Sequence, residues 1–166
     1  MAVVHLVEGP VGAGKSTFAF ALSRERGAPR ICLDDWMARL FRPDRPEGDI
    51  WPWYLERKDR CIDQIWALAT EMLDLELDVI LELGLVQRAA REAFYERVET
   101  EGRELCVHVL DAPREVRRAR VRKRNAERGE TFAMEVNDAV FEQASDAWEA
   151  PDDDEIELRG IVFPAD

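Results

Sequence analysis

Gly9-Pro10-Val11-Gly12-Ala13-Gly14-Lys15-Ser16 satisfies the pattern G-x-x-x-x-G-K-[ST] without a gap, and Thr17 follows it. The apolar run Val3 to Val7 precedes this stretch, and Phe18, Ala19, Ala21 and Leu22 follow it at helical period. A strand, a glycine-rich loop and a helix in that order form a phosphate cradle. Glycine lets the backbone wind tightly enough to aim its N–H groups at phosphate oxygens. The helix that follows adds its free N–H groups and the positive end of its dipole. In such a loop Gly9, Gly12, Ala13 and Gly14 supply backbone, Lys15 reaches the β- and γ-phosphates, and the Ser16 hydroxyl ligates Mg²⁺. The ligand expected here is ATP with Mg²⁺. Only three of the 23 basic residues are lysines, so Lys15 does not come from a lysine-rich background.

The remainder alternates between strand and helix patterns. Strands are expected over 3–7, 30–33, 78–83, 104–110 and 157–163. Helices are expected over 16–26, 36–41, 53–77, 87–101, 114–128 and 137–148, with a Pro- and Gly-bearing loop over 42–52 and an acidic turn over 151–155. That order predicts an α/β fold, a three-layer α/β/α sandwich on a mainly parallel, five-stranded sheet, of the P-loop NTPase type. A chain of 166 residues is the size of one domain. A single domain over 1–166 is expected, with a lid over 118–130.

No apolar run approaches the ~20 residues of a membrane span, and the N-terminus lacks the basic region and cleavage site of a signal peptide. Cys32, Cys61 and Cys106 are scattered and none sits in a C-x-x-C pair. This spacing argues against a zinc site or a disulfide framework, and a reducing cytoplasm is the expected location. The net charge of −12 disfavours broad binding to nucleic acid.

Three further groups point to chemistry. Asp34 and Asp35 are expected at the carboxyl end of the second strand, where ligands of open parallel sheets bind. A carboxylate there can take the proton of an attacking hydroxyl, or it can cap the next helix. Glu82 ends the third strand, where an acid can hold Mg²⁺ through water or touch the acceptor, or can be a solvated strand-end charge. Arg114, Arg117, Arg118, Arg120, Arg122, Lys123, Arg124 and Arg128 crowd one helix. Like charges four apart cost stability, and a docked polyanion would offset that cost. An arginine over the transferring phosphoryl group would stabilise its charge. His5 and His108 lie on expected strands away from their carboxyl ends, as core residues do.

The Gly9–Thr17 loop, the Leu33-Asp34-Asp35-Trp36 strand end and Lys123-Arg124-Asn125-Ala126-Glu127-Arg128-Gly129 together resemble the adenylate-kinase-like P-loop kinases. Within that superfamily they are most similar to the polynucleotide 5′-hydroxyl kinase domain and the bacterial kinases grouped with it. Chloramphenicol phosphotransferase and the zeta toxins are more distant relatives. The resemblance implies that Lys15, Ser16 and Thr17 hold the triphosphate and Mg²⁺, and that Asp34 is the general base. It also implies that Arg128 is the lid arginine and that Arg124 lies near the nucleotide. A basic residue that helps grip the polynucleotide shortly after the aspartate pair is replaced here by Trp36, with Arg39 the nearest cation. The tryptophan- and proline-rich segment from Phe41 to Tyr54 suits a compact acceptor.

The function expected is transfer of the ATP γ-phosphate to a hydroxyl of a small molecule. A polynucleotide 5′-hydroxyl kinase and an ATP-dependent regulatory binding module are the alternatives.

Overall fold

The computed structural model describes residues 1–165. Its strands are β1 (Val3–Glu8), β2 (Arg30–Cys32), β3 (Val79–Glu82) and β4 (Glu104–Val109). Its helices are α1 (Lys15–Arg26), α2 (Leu33–Leu40), α3 (Trp51–Asp74), α4 (Arg88–Thr100), α5 (Arg114–Glu127), α6 (Asp138–Ala147) and α7 (Asp153–Arg159). All strand pairs are parallel, in the order β2-β3-β1-β4.

Side-chain parity assigns the two faces of this sheet. Val4, Leu6, Ile31, Val79, Leu81, Val107 and Val109 join the main core with Ile65, Trp66 and Ala69 of α3 and Phe94 and Val98 of α4. The intervening positions turn the other way. Val7 and Ile80 pack with Ala19 and Leu22 of α1 in a second, smaller core. Helices thus cover both faces, as the alternating sequence pattern predicts. A third cluster, Val121, Val136 and Phe141 with Val11 against it, joins α5 and α6 to the phosphate loop.

The fifth strand expected over 157–163 is replaced by α7 and one parallel bridge, Val162 to His108. Val162 N–H donates to Val107 O at 2.9 Å and Val162 O accepts from Val109 N–H at 2.9 Å, so the chain only touches the sheet edge. The helix wins because Asp152 caps it, its side chain accepting from Glu155 N–H at 2.9 Å, and Gly160 ends it in the left-handed region. The expected acidic turn is that cap and first turn.

Glu155 is fully buried and receives a two-pronged ion pair from Arg91, at 2.7 and 2.8 Å, and the Tyr95 hydroxyl at 3.1 Å. This cluster fixes the carboxyl-terminal segment to α4. Removing one partner would strand the other charge at a cost of about 3–5 kcal/mol.

Two other boundaries differ from expectation. The loop expected over 42–52 contains a single 3₁₀ turn, Arg42–Asp44, and α3 begins at Trp51 with Pro52 in its first turn, where a missing N–H costs nothing. β2 ends at Cys32, so Asp34 and Asp35 lie inside the first turn of α2 and neither is its cap. Carboxylates in that turn still gain from the helix dipole.

Candidate active site

β1 feeds Gly9 directly, and the loop ends where Gly14 caps α1 in the left-handed region, at φ 94°. Two glycines here are sterically required. A Cβ at Gly9 would overlap the Leu110 carbonyl, and one at Gly12 would lie 2.6 Å from the Arg117 carbonyl oxygen. Both have positive φ, at 150° and 79°. The loop therefore passes tightly between β4 and α5.

Arg117, buried at the start of α5, holds the loop from outside. Its guanidinium donates to Val11 O at 3.0 Å, to Ala112 O at 3.0 Å and to the Ser145 hydroxyl at 3.1 Å. Arg120 reaches Ala13 O at 3.4 Å. These are the members of the basic helix that grip the loop.

Lys15 Nζ donates to Gly9 O at 2.8 Å and Pro10 O at 2.9 Å. Burial pulls its ammonium below the ordinary lysine range, while the charges of Glu8, Asp34 and Glu82 hold it up. This part-buried cation thus sits among acids, in a tightly wound loop.

Glu82 ends β3 on the α1 face. Its Oε2 accepts from the Ser16 hydroxyl at 2.8 Å, and its Oε1 accepts from Arg30 Nε. Arg30 also pairs with Asp35 at 3.1 Å, and its guanidinium lies 4.2 Å from the centre of the Phe20 ring. Asp35 is thereby tied to the edge of the sheet. Asp34 points elsewhere. It is exposed, and its charge acts on Lys15, on Arg124 and on Tyr54, whose phenol is pushed up to about 12 by burial and then by Asp34.

Arg124 is part-buried on α5. Burial lowers its pKa, Asp34 opposes that shift, and its Nε has no hydrogen-bond partner. Its charge acts on Lys15 as well. Lys15, Asp34, Arg124 and Tyr54 therefore share one electrostatic neighbourhood, although they come from four elements.

Arg128 is not on the same helical face as Arg124, as continuous helix through 128 would have placed it. α5 ends at Glu127, and Arg128 is its cap residue in the left-handed region, at φ 48°. Its side chain pairs with Glu135 at 3.4 Å and lies 5.3 Å from the centre of the Phe132 ring.

The basic helix is also not left to solvent. α6 presents Asp138, Glu142 and Asp146 at four-residue spacing, and these pair with Arg122, Arg114 and Arg118. This intramolecular acidic face pairs with three of the eight basic residues.

Two participants escaped the sequence reading. Glu8 is fully buried immediately before Gly9, and its Oε2 accepts from Leu85 N–H at 3.1 Å while Oε1 has no partner. Burial pushes its carboxyl up to about 7, opposed first by Lys15. The signal was visible as a lone acid closing an apolar strand. Arg30 was visible in the same way, as a lone cation opening one.

A groove of about 380 Å³ lies along α2, lined by Arg30, Cys32, Asp35, Trp36, Arg39 and Leu40. It borders the Arg30–Asp35 pair and not the Asp34 cluster. Among the described residues no helix is long and apolar enough to cross a membrane.

Solved structures share this fold. One is a chain of the Pnkp1/Rnl/Hen1 RNA repair complex, with TM-score 0.65 and 22% identity over 88% of this chain and 43% of that one. A second is a gluconokinase from Sinorhizobium meliloti 1021, with TM-score 0.57 and 18% identity over 98% of this chain and 80% of that one. A third is Kti12 from Chaetomium thermophilum in complex with ADP-AlF3, with TM-score 0.66 and 16% identity over 98% and 88%. The chain spans less than half of the repair-complex protein. At these identities the likeness is one of fold. No curated protein matches the chain. Residues 4–151, almost the whole sheet and both helices beside the phosphate loop, match the family model described as an AAA domain, and the chain belongs to that family of P-loop, kinase-like proteins.

Proposed function

We propose that this protein is an ATP-dependent kinase that moves the γ-phosphoryl group to a hydroxyl of a small acceptor, with Asp34 as the general base. The observation that carries this reading is the division of labour between adjacent aspartates. Asp35 is held by Arg30, whereas Asp34 is exposed in the field of Lys15 and Arg124.

Nucleotide binding rests on Gly9 to Thr17. The backbone N–H groups of Gly12, Ala13 and Gly14 would take phosphate oxygens, and Lys15 would exchange its two carbonyl partners for the β- and γ-phosphates. The hydroxyl and carboxylate of Ser16 and Glu82, 2.8 Å apart, are hard oxygen donors and fit Mg²⁺. When bound, that ion would supply positive charge to neutralise the phosphates. Asp34 would accept the acceptor's proton as its oxygen attacks phosphorus in line, and Arg124 would donate to the phosphoryl oxygens through an N–H that now has no partner.

Arg128 reaches the nucleotide only if the segment after α5 moves. Its place in a lid over 118–130 is therefore a statement about closure.

A 5′-hydroxyl kinase acting on nucleic acid is the second reading, favoured by the likeness to a protein of an RNA repair complex. Against it stand the net charge of −12 and the pairing of the basic helix with α6. The experiment is ATP-dependent phosphorylation of a panel of sugars, sugar acids, nucleosides, antibiotics and 5′-hydroxyl oligonucleotides, read as γ-phosphate incorporation. Transfer to a small alcohol supports the first reading and transfer to oligonucleotides alone supports the second. Tight ATP binding with no acceptor in any class would favour a regulatory module.

A further inference from the structure

On the α1 face of the sheet, away from the phosphate loop, three groups with metal-binding atoms converge. His5 and Cys106 are register partners on β1 and β4, and His108 follows Cys106 by two residues, so all three point to one side. His5 Nδ1 lies 3.1 Å from His108 Nε2, and Cys106 Sγ lies 3.4 Å from the same nitrogen. The donor atoms of the three all fall within 4.8 Å of one another. Both imidazoles are more than nine-tenths buried and Cys106 is half-buried. Phe18 of α1 covers the site, its ring centre 5.2 Å from that of His108.

Hydrogen bonding alone leaves this cluster unsatisfied. Only one proton fits between two ring nitrogens 3.1 Å apart. If His5 supplies it, the bare Nε2 of His5 faces the Asp78 carboxylate, 3.7 Å away. If His108 supplies it, His5 Nε2–H faces Asp78 favourably, but His108 Nδ1 is a buried lone pair without a donor, and His108 Nε2 has no lone pair left for the cysteine. His5 Nε2 and His108 Nδ1 have no hydrogen-bond partner in either case.

We propose that His5 Nδ1, His108 Nε2 and the Cys106 thiolate form a binding site for one thiophilic divalent transition metal ion of the Zn²⁺ type, distinct from the Mg²⁺ site at Ser16 and Glu82. Tetrahedral zinc, with Zn–N about 2.0–2.1 Å and Zn–S about 2.3 Å, sets neighbouring N···N near 3.3 Å and N···S near 3.5 Å. The observed 3.1 and 3.4 Å separations need to open by only about 0.2 Å, and His5 Nδ1 and Cys106 Sγ, within 4.8 Å of each other, complete the triangle as the ion draws them in.

Both nitrogens then use their lone pairs on the metal, the thiol proton leaves to solvent as the ion binds, and the unpartnered atom that remains is His108 Nδ1, which carries the proton of that ring. His5 Nε2–H points at Asp78, whose other oxygen accepts from Val3 N–H at 2.8 Å. A carboxylate behind a metal-bound imidazole is the usual support of such a site. Glu104, the register partner of Val3, lies on the same side, and its negative charge acts on both His5 and Cys106, while Arg26 opposes it. Three protein ligands leave a fourth position for water or Glu104. The ion would tie β1 to β4 four residues before Gly9.

The test uses the whole chain, reduced and stripped with chelator, titrated with Co²⁺ and Zn²⁺ in the presence of excess Mg²⁺. One equivalent of Co²⁺ should bind with a thiolate-to-metal charge-transfer band, and Zn²⁺ should displace it and raise the melting temperature. Cys106→Ser should abolish that band, and Asp78→Asn, which keeps an acceptor for Val3 N–H, should weaken Zn²⁺ about 10–100-fold. Both changes are close to isosteric, and melting in chelator verifies that each variant is folded. Absence of the band in the unmutated protein, or Zn²⁺ affinity unchanged in folded Cys106→Ser, would overturn the proposal.

Discussion

The Ser16 hydroxyl donates to Glu82 Oε2 at 2.8 Å, across the space between the first turn of α1 and the end of β3. Glu82 is 5% exposed, so this contact is part of the built floor of the site. If the pair holds Mg²⁺, Glu82→Gln removes the charge while keeping an oxygen acceptor. The Mg²⁺ concentration needed for half-maximal ATP binding should rise about 10-fold or more, in the range seen when groups supporting a metal are altered. Calorimetric ATP titrations at stepped Mg²⁺ measure it, and an unchanged Mg²⁺ requirement would remove Glu82 from the metal site.

Lys15→Ala takes away the ammonium that now rests on Gly9 O and Pro10 O. Pro10 O keeps the Ala13 N–H as donor at 3.2 Å, so the fold should survive and Mg-ATP affinity should collapse. Equal ATP affinity in the variant, by calorimetry, would exclude the loop as the nucleotide site.

The adjacent aspartates should separate cleanly. Asp34→Asn should leave ATP affinity intact and lower transfer by about 10²–10⁴-fold, the usual contribution of a positioned base. Asp35→Asn should lose the ion pair to Arg30, 3.1 Å long and partly exposed, at a cost on the order of 1 kcal/mol. Full transfer by Asp34→Asn together with an inert Asp35→Asn would exchange their roles.

The layout was legible where local chemistry and long-range packing agree. The phosphate loop follows from glycine sterics and Lys15, and the parallel sheet follows from strand–helix alternation. The region 157–163 misled because the deciding contacts are non-local. Asp152 caps the helix, and Arg91, 64 residues from Glu155, supplies the buried counter-charge. The basic helix misled for the same reason, since its balancing charges sit on α6. The convergence of His5, Cys106 and His108 was hidden because it depends on β1–β4 register and not on sequence spacing.

Glu8 should make stability pH-dependent. Its carboxyl lies near 7 in the folded chain against an ordinary 4.5. Between those values the folded state binds more protons than the unfolded state, so stability should fall as pH rises from about 4.5 to 7. Its contribution is largest below 4.5 and lost above the folded value. The difference corresponds to about 3 kcal/mol at most. Glu8→Gln, which stays neutral, should flatten this part of the profile in urea melts taken at stepped pH. An identical slope in the variant would mean that other groups set it.

Arg124 and Arg128 should differ in kind. Arg124 already lies among Lys15 and Asp34 with a buried, unpartnered Nε. Arg124→Ala should therefore reduce both ATP affinity and turnover. Arg128 caps α5 with φ 48° and is paired with Glu135. For a side chain other than glycine that backbone costs roughly 1–2 kcal/mol. Arg128→Gly should thus remove the guanidinium and stabilise the helix end, which keeps any functional loss free of unfolding. If the segment after α5 closes over ATP, Arg128→Gly should lower turnover with acceptor more than it lowers ATP affinity, because its contact would form with the transferring phosphoryl group. The paired readout is kcat against the calorimetric ATP affinity, with the melting temperature confirming the gain in stability. Turnover that matches the unmutated protein would leave Arg128 as a cap and a partner of Glu135, and Arg124 as the arginine that serves the phosphates.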